Sequence, residues 1–114
     1  SDVNVHVHWL AEDATAGNCR WQFSYSWANI DGAFPGETPA YVNAAAPAVA
    51  DKHTLTDIVT MTGTGKKISS IVLCTLRRNS SSALDTLNAK SAYLLEIDFH
   101  FQKDTTGSRT ISTK

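Results

Sequence analysis

The sequence predicts an all-β fold, an antiparallel jelly roll or β-sandwich whose first and last strands pair, and three observations carry that prediction. From Leu95 to Phe101 apolar and polar residues alternate without a break, so Leu95, Ile97, Phe99 and Phe101 belong to one face and Glu96, Asp98 and His100 to the other. Val3-Asn4-Val5-His6-Val7-His8-Trp9 has the same design, with Val3, Val5, Val7 and Trp9 inward and Asn4, His6 and His8 outward. Elsewhere short apolar runs are separated by glycine, proline and serine turns, and no helical period persists for three turns. Two matched two-residue periods at the ends of the sequence are expected to lie side by side, with the inward residues from Leu95 to Phe101 in the core.

Taken in order, residues 11–18 are small and polar with Gly17, which suits a loop. Cys19-Arg20-Trp21-Gln22-Phe23-Ser24-Tyr25-Ser26-Trp27 is the strongest strand, its odd positions aromatic or apolar and its even positions polar. Residues 28–51 hold Pro35, Pro39 and Pro47 and an alanine-rich run, and read as a long excursion with a short strand around Tyr41 and Val42. A strand over 53–61 leads into Thr62-Gly63-Thr64-Gly65, and the chain returns through 67–78, which reads as a hairpin turned by glycine. Residues 79–83 form a serine-rich turn, 84–91 favour no element, and 92–103 are the final strand.

The 114 residues make one domain, 1–114, with a polar C-terminal tail at about 103–114. A chain of this size buries roughly two-thirds of its unfolded surface. Ten basic and eleven acidic residues, evenly spread for a formal net charge of -1, leave no electrostatic footprint for nucleic acid or an anionic membrane. No apolar run approaches the length that spans a bilayer. Cys19 and Cys74 are too few for a disulfide scaffold and are expected as free, buried core side chains, consistent with assembly in a reducing cytoplasm; the sequence leaves open whether they are bridged.

The sharpest chemical candidate is His6-Val7-His8 followed by Glu12. Two imidazoles two residues apart on a strand face the same way, a carboxylate four residues on could join them, and His100 on the last strand could supply a third imidazole. His6, His8, Glu12 and His100 are thus metal-ligand candidates. Their spacing resembles the first motif of the cupins, metal-binding jelly rolls, over about seven residues. The resemblance then fails, because Gly17 follows Glu12 too soon and no second-motif histidine follows Pro35-Gly36. The alternation also turns His6 and His8 away from the apolar interior. The expectation is therefore no resident metal or cofactor, with His6, His8, Asp98 and His100 facing solvent or a partner.

Nothing points to catalysis. Ser24, Ser26 and Ser70 lie in strands, no Gly-x-Ser-x-Gly occurs, and Cys74 in an apolar strand is expected to stay a protonated thiol. Gly63-x-Gly65-Lys66-Lys67 lacks the spacing of a phosphate loop and is read as a turn. The aromatic residues of the third strongest feature, Trp21 and Trp27 with Phe23 and Tyr25, share a face and belong to the core; a sugar platform is left only to loop or strand-end aromatics such as Trp27 and Tyr41.

His6-Val7-His8-Trp9, Arg20-Trp21-Gln22-Phe23-Ser24-Tyr25-Ser26-Trp27-Ala28-Asn29, Thr62-Gly63-Thr64-Gly65-Lys66-Lys67-Ile68-Ser69-Ser70-Ile71 and Asp98-Phe99-His100-Phe101-Gln102-Lys103-Asp104-Thr105-Thr106-Gly107-Ser108-Arg109 occur in this order. Together, over most of the chain, they resemble a module that recurs in structural proteins of tailed bacteriophages. The resemblance implies a non-enzymatic virion component, and for a protein of this size a capsid cement or decoration protein. Its expected partners are the major capsid protein and further copies of itself, as a dimer or trimer, on the capsid surface after assembly in the host cytoplasm. Partner-facing candidates are His6, His8, Asp98, His100, Trp27 and Tyr41. The alternatives are a tail-fibre or receptor-binding module that grips cell-surface glycan, and a cupin-like metal protein.

Overall fold

The computed structural model describes residues 2–87 and 90–101. They form six strands: β1 (Val3–Ala11), β2 (Asn18–Ala28), β3 (Thr38–Ala45), β4 (Thr54–Met61), β5 (Ile71–Arg78) and β6 (Ala92–Phe101). The strands make two antiparallel three-stranded sheets, ordered β4-β1-β6 and β3-β2-β5. The expected pairing of the first and last strands is present along nearly the whole of both. The polar tail expected at 103–114 lies outside the described residues.

The odd residues of the two central strands meet between the sheets. Val5, Val7, Trp9 and Ala11 from β1 pack with Cys19, Trp21 and Phe23 from β2, and Met61, Ala44 and Leu87 close the edges. Trp9 and Trp21 meet edge to face at 5.9 Å between ring centroids, a geometry that sets the positive edge of one ring against the negative face of the other. The Trp9 indole N–H, buried with its ring, donates to Thr56 Oγ1 at 3.0 Å. The two layers therefore share one dry core, held by the alternation in β1 and β2.

Residues 79–87 and 90–91, read from the sequence as a serine-rich turn (79–83) followed by a stretch that favoured no element (84–91), seal one end of the core. Asp85 is fully buried there; Arg78 donates through Nε and Nη2 to its two carboxylate oxygens at 2.9 Å each, and the Arg20 backbone N–H donates to it at 3.0 Å. Leu87 beside it is buried, and its N–H donates to the carbonyl of Asn18 at the start of β2. The same segment lies against Gly17, whose φ is +150°. A Cβ at that position would meet Thr86 Oγ1 at 3.0 Å and the Thr86 carbonyl at 3.2 Å, so the close approach needs glycine.

Four expectations are corrected. The chain after β4 does not turn back as a hairpin: β4 pairs with β1, β5 pairs with β2, and residues 62–70 cross from one sheet to the other. Contacts outside the loop impose that path. Gly63 N–H donates to Asp2, while Asn29 accepts from Lys67 N–H and donates to the Gly65 carbonyl, which ties the crossing to the start of β1 and the end of β2. The strand foreseen around Tyr41 and Val42 is a full eight residues, because all of it pairs with β2. The cysteines are both free, but only Cys19 is buried; Cys74 is exposed on β5.

The fourth correction concerns β6. Trp9 lies opposite Leu94 and His8 opposite Glu96, so Leu95 is an extra residue in a bulge and leaves the expected face. Leu95, Phe99 and Phe101 are also not core: they are 51%, 41% and 59% exposed. Of the four residues expected inward, Ile97 alone keeps a core role, packed against both core clusters.

Two outcomes follow from this packing. Asp85→Ala removes the buried carboxylate that accepts from Arg78 and from the Arg20 backbone N–H, leaving Arg78 its bond to the Lys90 carbonyl, and is expected to cost about 2–4 kcal/mol in denaturant unfolding; a loss below about 1 kcal/mol would contradict the role of the pair. Burial pushes the Cys19 thiol up to about 12. Alkylation of native protein at neutral pH is therefore expected at Cys74 alone, with Cys19 modified only after unfolding, as peptide mapping would read.

Candidate functional site

The outward residues of β4, β1 and β6 gather all four histidines of the sequence. The register explains the convergence. Across β1 and β6, Asn4 faces His100, His6 faces Asp98 and His8 faces Glu96; across β1 and β4, His6 faces Asp57 and His8 faces Leu55. Directly opposed side chains on one face of an antiparallel pair are neighbours, and diagonal ones stay within reach of a long side chain. His53, one residue before β4, joins from the side.

Asp98 is the centre of the group. His8 Nε2, His6 Nε2 and His100 Nε2 lie 2.7, 3.3 and 3.7 Å from its Oδ2. His8 Nδ1 is 2.6 Å from His53 Nε2. A carboxylate accepts, so His8 Nε2–H donates to Asp98; in a neutral His8 the Nδ1 lone pair is then the acceptor that faces His53 Nε2. The hydrogen bond from His8 is the main reason that the Asp98 carboxyl titrates below the ordinary carboxylate range; partial desolvation opposes it, and the nearby imidazoles reinforce it.

His6 is covered by its neighbours although it points away from the core, with only 8% of its surface exposed. Its Nδ1 lies 3.3 Å from Asn4 Oδ1 and 3.5 Å from Asp57 Oδ1, and the His100 ring stacks near it at 4.3 Å between centroids. Glu96 approaches His8 Nε2 at 4.0 Å. Two bulges bracket this patch: Ile58 is the extra residue of β4 beside His6, and Leu95 that of β6 beside His8. Each raises the local twist and re-aims the side chains next to it.

The metal-ligand candidates of the sequence are thus only partly assembled. His6, His8 and His100 come together, but Glu12 sits beyond the end of β1 and accepts the Ser91 N–H. Asp98, expected on the outer face as a hydrogen-bond partner of His100 with His6 or His8 nearby but not as a metal ligand, is the hub. His53, Asp57 and Glu96 join without having been singled out, although the outward period of β6 already placed Glu96 on the face of Asp98.

The two loop-aromatic candidates do not make one platform. Trp27 pairs with Val72 on the inner face of its sheet, and its indole N–H donates to Ser70 Oγ at 2.8 Å. Tyr41 pairs with Gln22 on the outer face, where the Arg20 guanidinium stands 4.4 Å from its ring centroid. The two rings face opposite sides of β3-β2-β5.

A second surface arises where the two layers part. β4 packs against β3 and β2 and closes one side of the sandwich. On the other side β5 and β6 are the edges of their sheets among the described residues, and residues on their inner faces remain exposed: Cys74 on β5, and Leu94, Phe99 and Phe101 on β6. Tyr93, opposite the outward Leu10, and Leu95, in the bulge, are each about half exposed too but do not belong to that inner face. Phe99 reaches inward far enough to meet Phe23 at 6.1 Å, which marks the lip of the opening. No family model matches the chain, and neither a curated protein nor a solved structure is significantly similar to it.

Removing the donor to Asp98 tests the hub. His8→Ala is expected to raise the Asp98 carboxyl toward its ordinary range, read by carbon-detected NMR titration. The sign follows from linkage: a depressed carboxyl stabilises the fold above its unfolded pKa, and that contribution is lost as pH falls through the folded value. An unchanged Asp98 titration in the variant would remove His8 as the cause.

Proposed function

We propose that this protein is a non-enzymatic structural component of a phage virion, a capsid cement protein that binds the major capsid protein and further copies of itself. The carrying observation is the open side of the sandwich, where two strand edges without a partner among the described residues and the exposed inner-face residues Leu94, Phe99 and Phe101 are presented together. An unpaired edge offers a row of backbone donors and acceptors to another chain. An exposed apolar patch adds a driving force: covering the three half-exposed side chains of Leu94, Phe99 and Phe101 gains on the order of 3 kcal/mol. The ordered sequence resemblance to phage structural modules supports the virion as the setting.

The two-layer form suits this reading: β1 is flanked by β4 and β6 in one sheet and β2 by β3 and β5 in the other, while β3 and β4 meet at the closed side. A protein of this shape, 50 × 29 × 16 Å in extent, presents one long apolar side without exposing its core strands β1 and β2. The glycan-binding alternative gains less support, because Trp27 and Tyr41 face opposite ways.

Mass spectrometry and cryo-electron microscopy of intact particles test the reading. The expected result is density for this protein on the capsid exterior with β5 and β6 at a protein contact, and loss of occupancy in a Leu94→Asp, Phe101→Asp double variant that still folds. Finding the chain on the tail alone would reject the cement role in favour of a receptor-binding one.

A further inference from the structure

We propose that the outer face of β4-β1-β6 binds one divalent transition-metal ion of the zinc type, held by His6 Nε2, His100 Nε2 and the Asp98 carboxylate. This site is independent of the open side on which the cement role rests. Its first support is spacing. The ligand atoms of His6, Asp98 and His100 all lie within 4.8 Å of one another, with His6 and His100 at 3.3 and 3.7 Å from Asp98 Oδ2. Tetrahedral zinc with bonds of about 2.0–2.1 Å needs ligand atoms about 3.4 Å apart, so a cation fits among these three with only small movements.

The second support is the environment of His6. Its Nδ1 faces the oxygens of Asn4 and Asp57, and its Nε2 faces the oxygen of Asp98. A neutral imidazole has one N–H and one lone pair. In the neutral tautomer with Nδ1–H donating to Asn4 Oδ1, the Nε2 lone pair is left facing a carboxylate oxygen, and this is the tautomer in which Nε2 and Asp98 can share a cation. The charges agree: Asp57, Glu96 and Asp98 find their ion-pair contacts among histidines. A divalent ion supplies positive charge without requiring those imidazoles to be protonated.

His8 has a different part. At 2.7 Å from Asp98 it is a hydrogen-bond donor to the carboxylate, and His53 stands behind it. Partners of this kind fix the orientation of a ligating carboxylate. His8, Glu96 and Asp98 form a second possible triad, but it shares Asp98 and includes the well-exposed Glu96. Two imidazoles and one carboxylate suit zinc, copper, nickel or cobalt, whereas calcium takes six to eight oxygen ligands. The donor set differs from the cupin-like one of the sequence by exchanging Glu12 for Asp98, and it lies outside the sandwich. Because His6 belongs to β1 and His100 and Asp98 to β6, the ion would staple the edge strand to its one partner among the described strands.

Untagged protein, stripped with a chelator and dialysed at neutral pH, provides the test. Titration with zinc by calorimetry is expected to show one saturable equivalent, cobalt is expected to give the visible bands of a low-symmetry, four-coordinate site, and zinc is expected to raise the melting temperature. His100→Ala removes a largely exposed ring, so the fold is kept, and Asp98→Asn retains the shape of the hub. Each is expected to weaken zinc binding by at least about 10-fold and to lose the cobalt bands. Absence of saturable uptake by the wild type, or wild-type affinity in both folded variants, would overturn the site.

Discussion

The register of β1 against β6 is the constraint on which the rest of the molecule depends. Because the side-chain period of a strand is two, a slip of one residue would exchange the faces of the whole strand. In the observed register Val3, Val5 and Val7 lie opposite Phe101, Phe99 and Ile97, and Asn4, His6 and His8 lie opposite His100, Asp98 and Glu96. The first set belongs to the core and its open lip; the second is the histidine and carboxylate cluster. One ladder therefore produces both surfaces to which a role is assigned.

The ladder alone would leave β6 loosely held, since its outer edge has no partner among the described strands. What fixes the strand is burial at its middle and a tie at its start. Ile97 packs against both core clusters, and the Glu12 backbone N–H donates to the Ser91 carbonyl just before β6 begins. The buried Asp85–Arg78 pair anchors the segment that leads there. Replacing such a pair with apolar side chains can be neutral, but breaking it is costly, so it sets where the segment sits more than it adds net stability. The sandwich is thus closed at β3 and β4, sealed at one end, and open along β5 and β6.

Much of this was legible in the sequence, for a physical reason. Alternation in 3–9, 19–27 and 96–101 reports directly which side of a sheet each residue occupies, and the outward direction of His6, His8, Asp98 and His100 followed from it. The hairpin failed because glycine in 62–65 signals a turn without saying which sheet the next strand enters; that choice is made by β1 and β2, far away in sequence. The bulges were marked by two apolar residues in succession, Ile58-Val59 and Leu94-Leu95, but only the partner strand shows which residue is extra. Burial of Phe99 and Phe101 was overestimated because a period identifies a face and cannot tell whether the opposite sheet extends far enough to cover it. Asp85 was missed because it lies outside the strands, where no period exists to read, and His53 because it stands at the start of the strand expected over 53–61, whose partner strand the sequence does not name.

Hydrogen exchange, calorimetry and imaging each report a consequence of the β1–β6 register; cross-strand nuclear Overhauser effects report the register itself. In isotopically labelled protein the account predicts backbone contacts joining Asn4 with His100, His6 with Asp98 and Trp9 with Leu94, with Leu95 skipped. Contacts joining His6 with Ile97 or Phe99 would put the histidines and Asp98 on opposite faces and contradict both the cluster and the origin of the open apolar side.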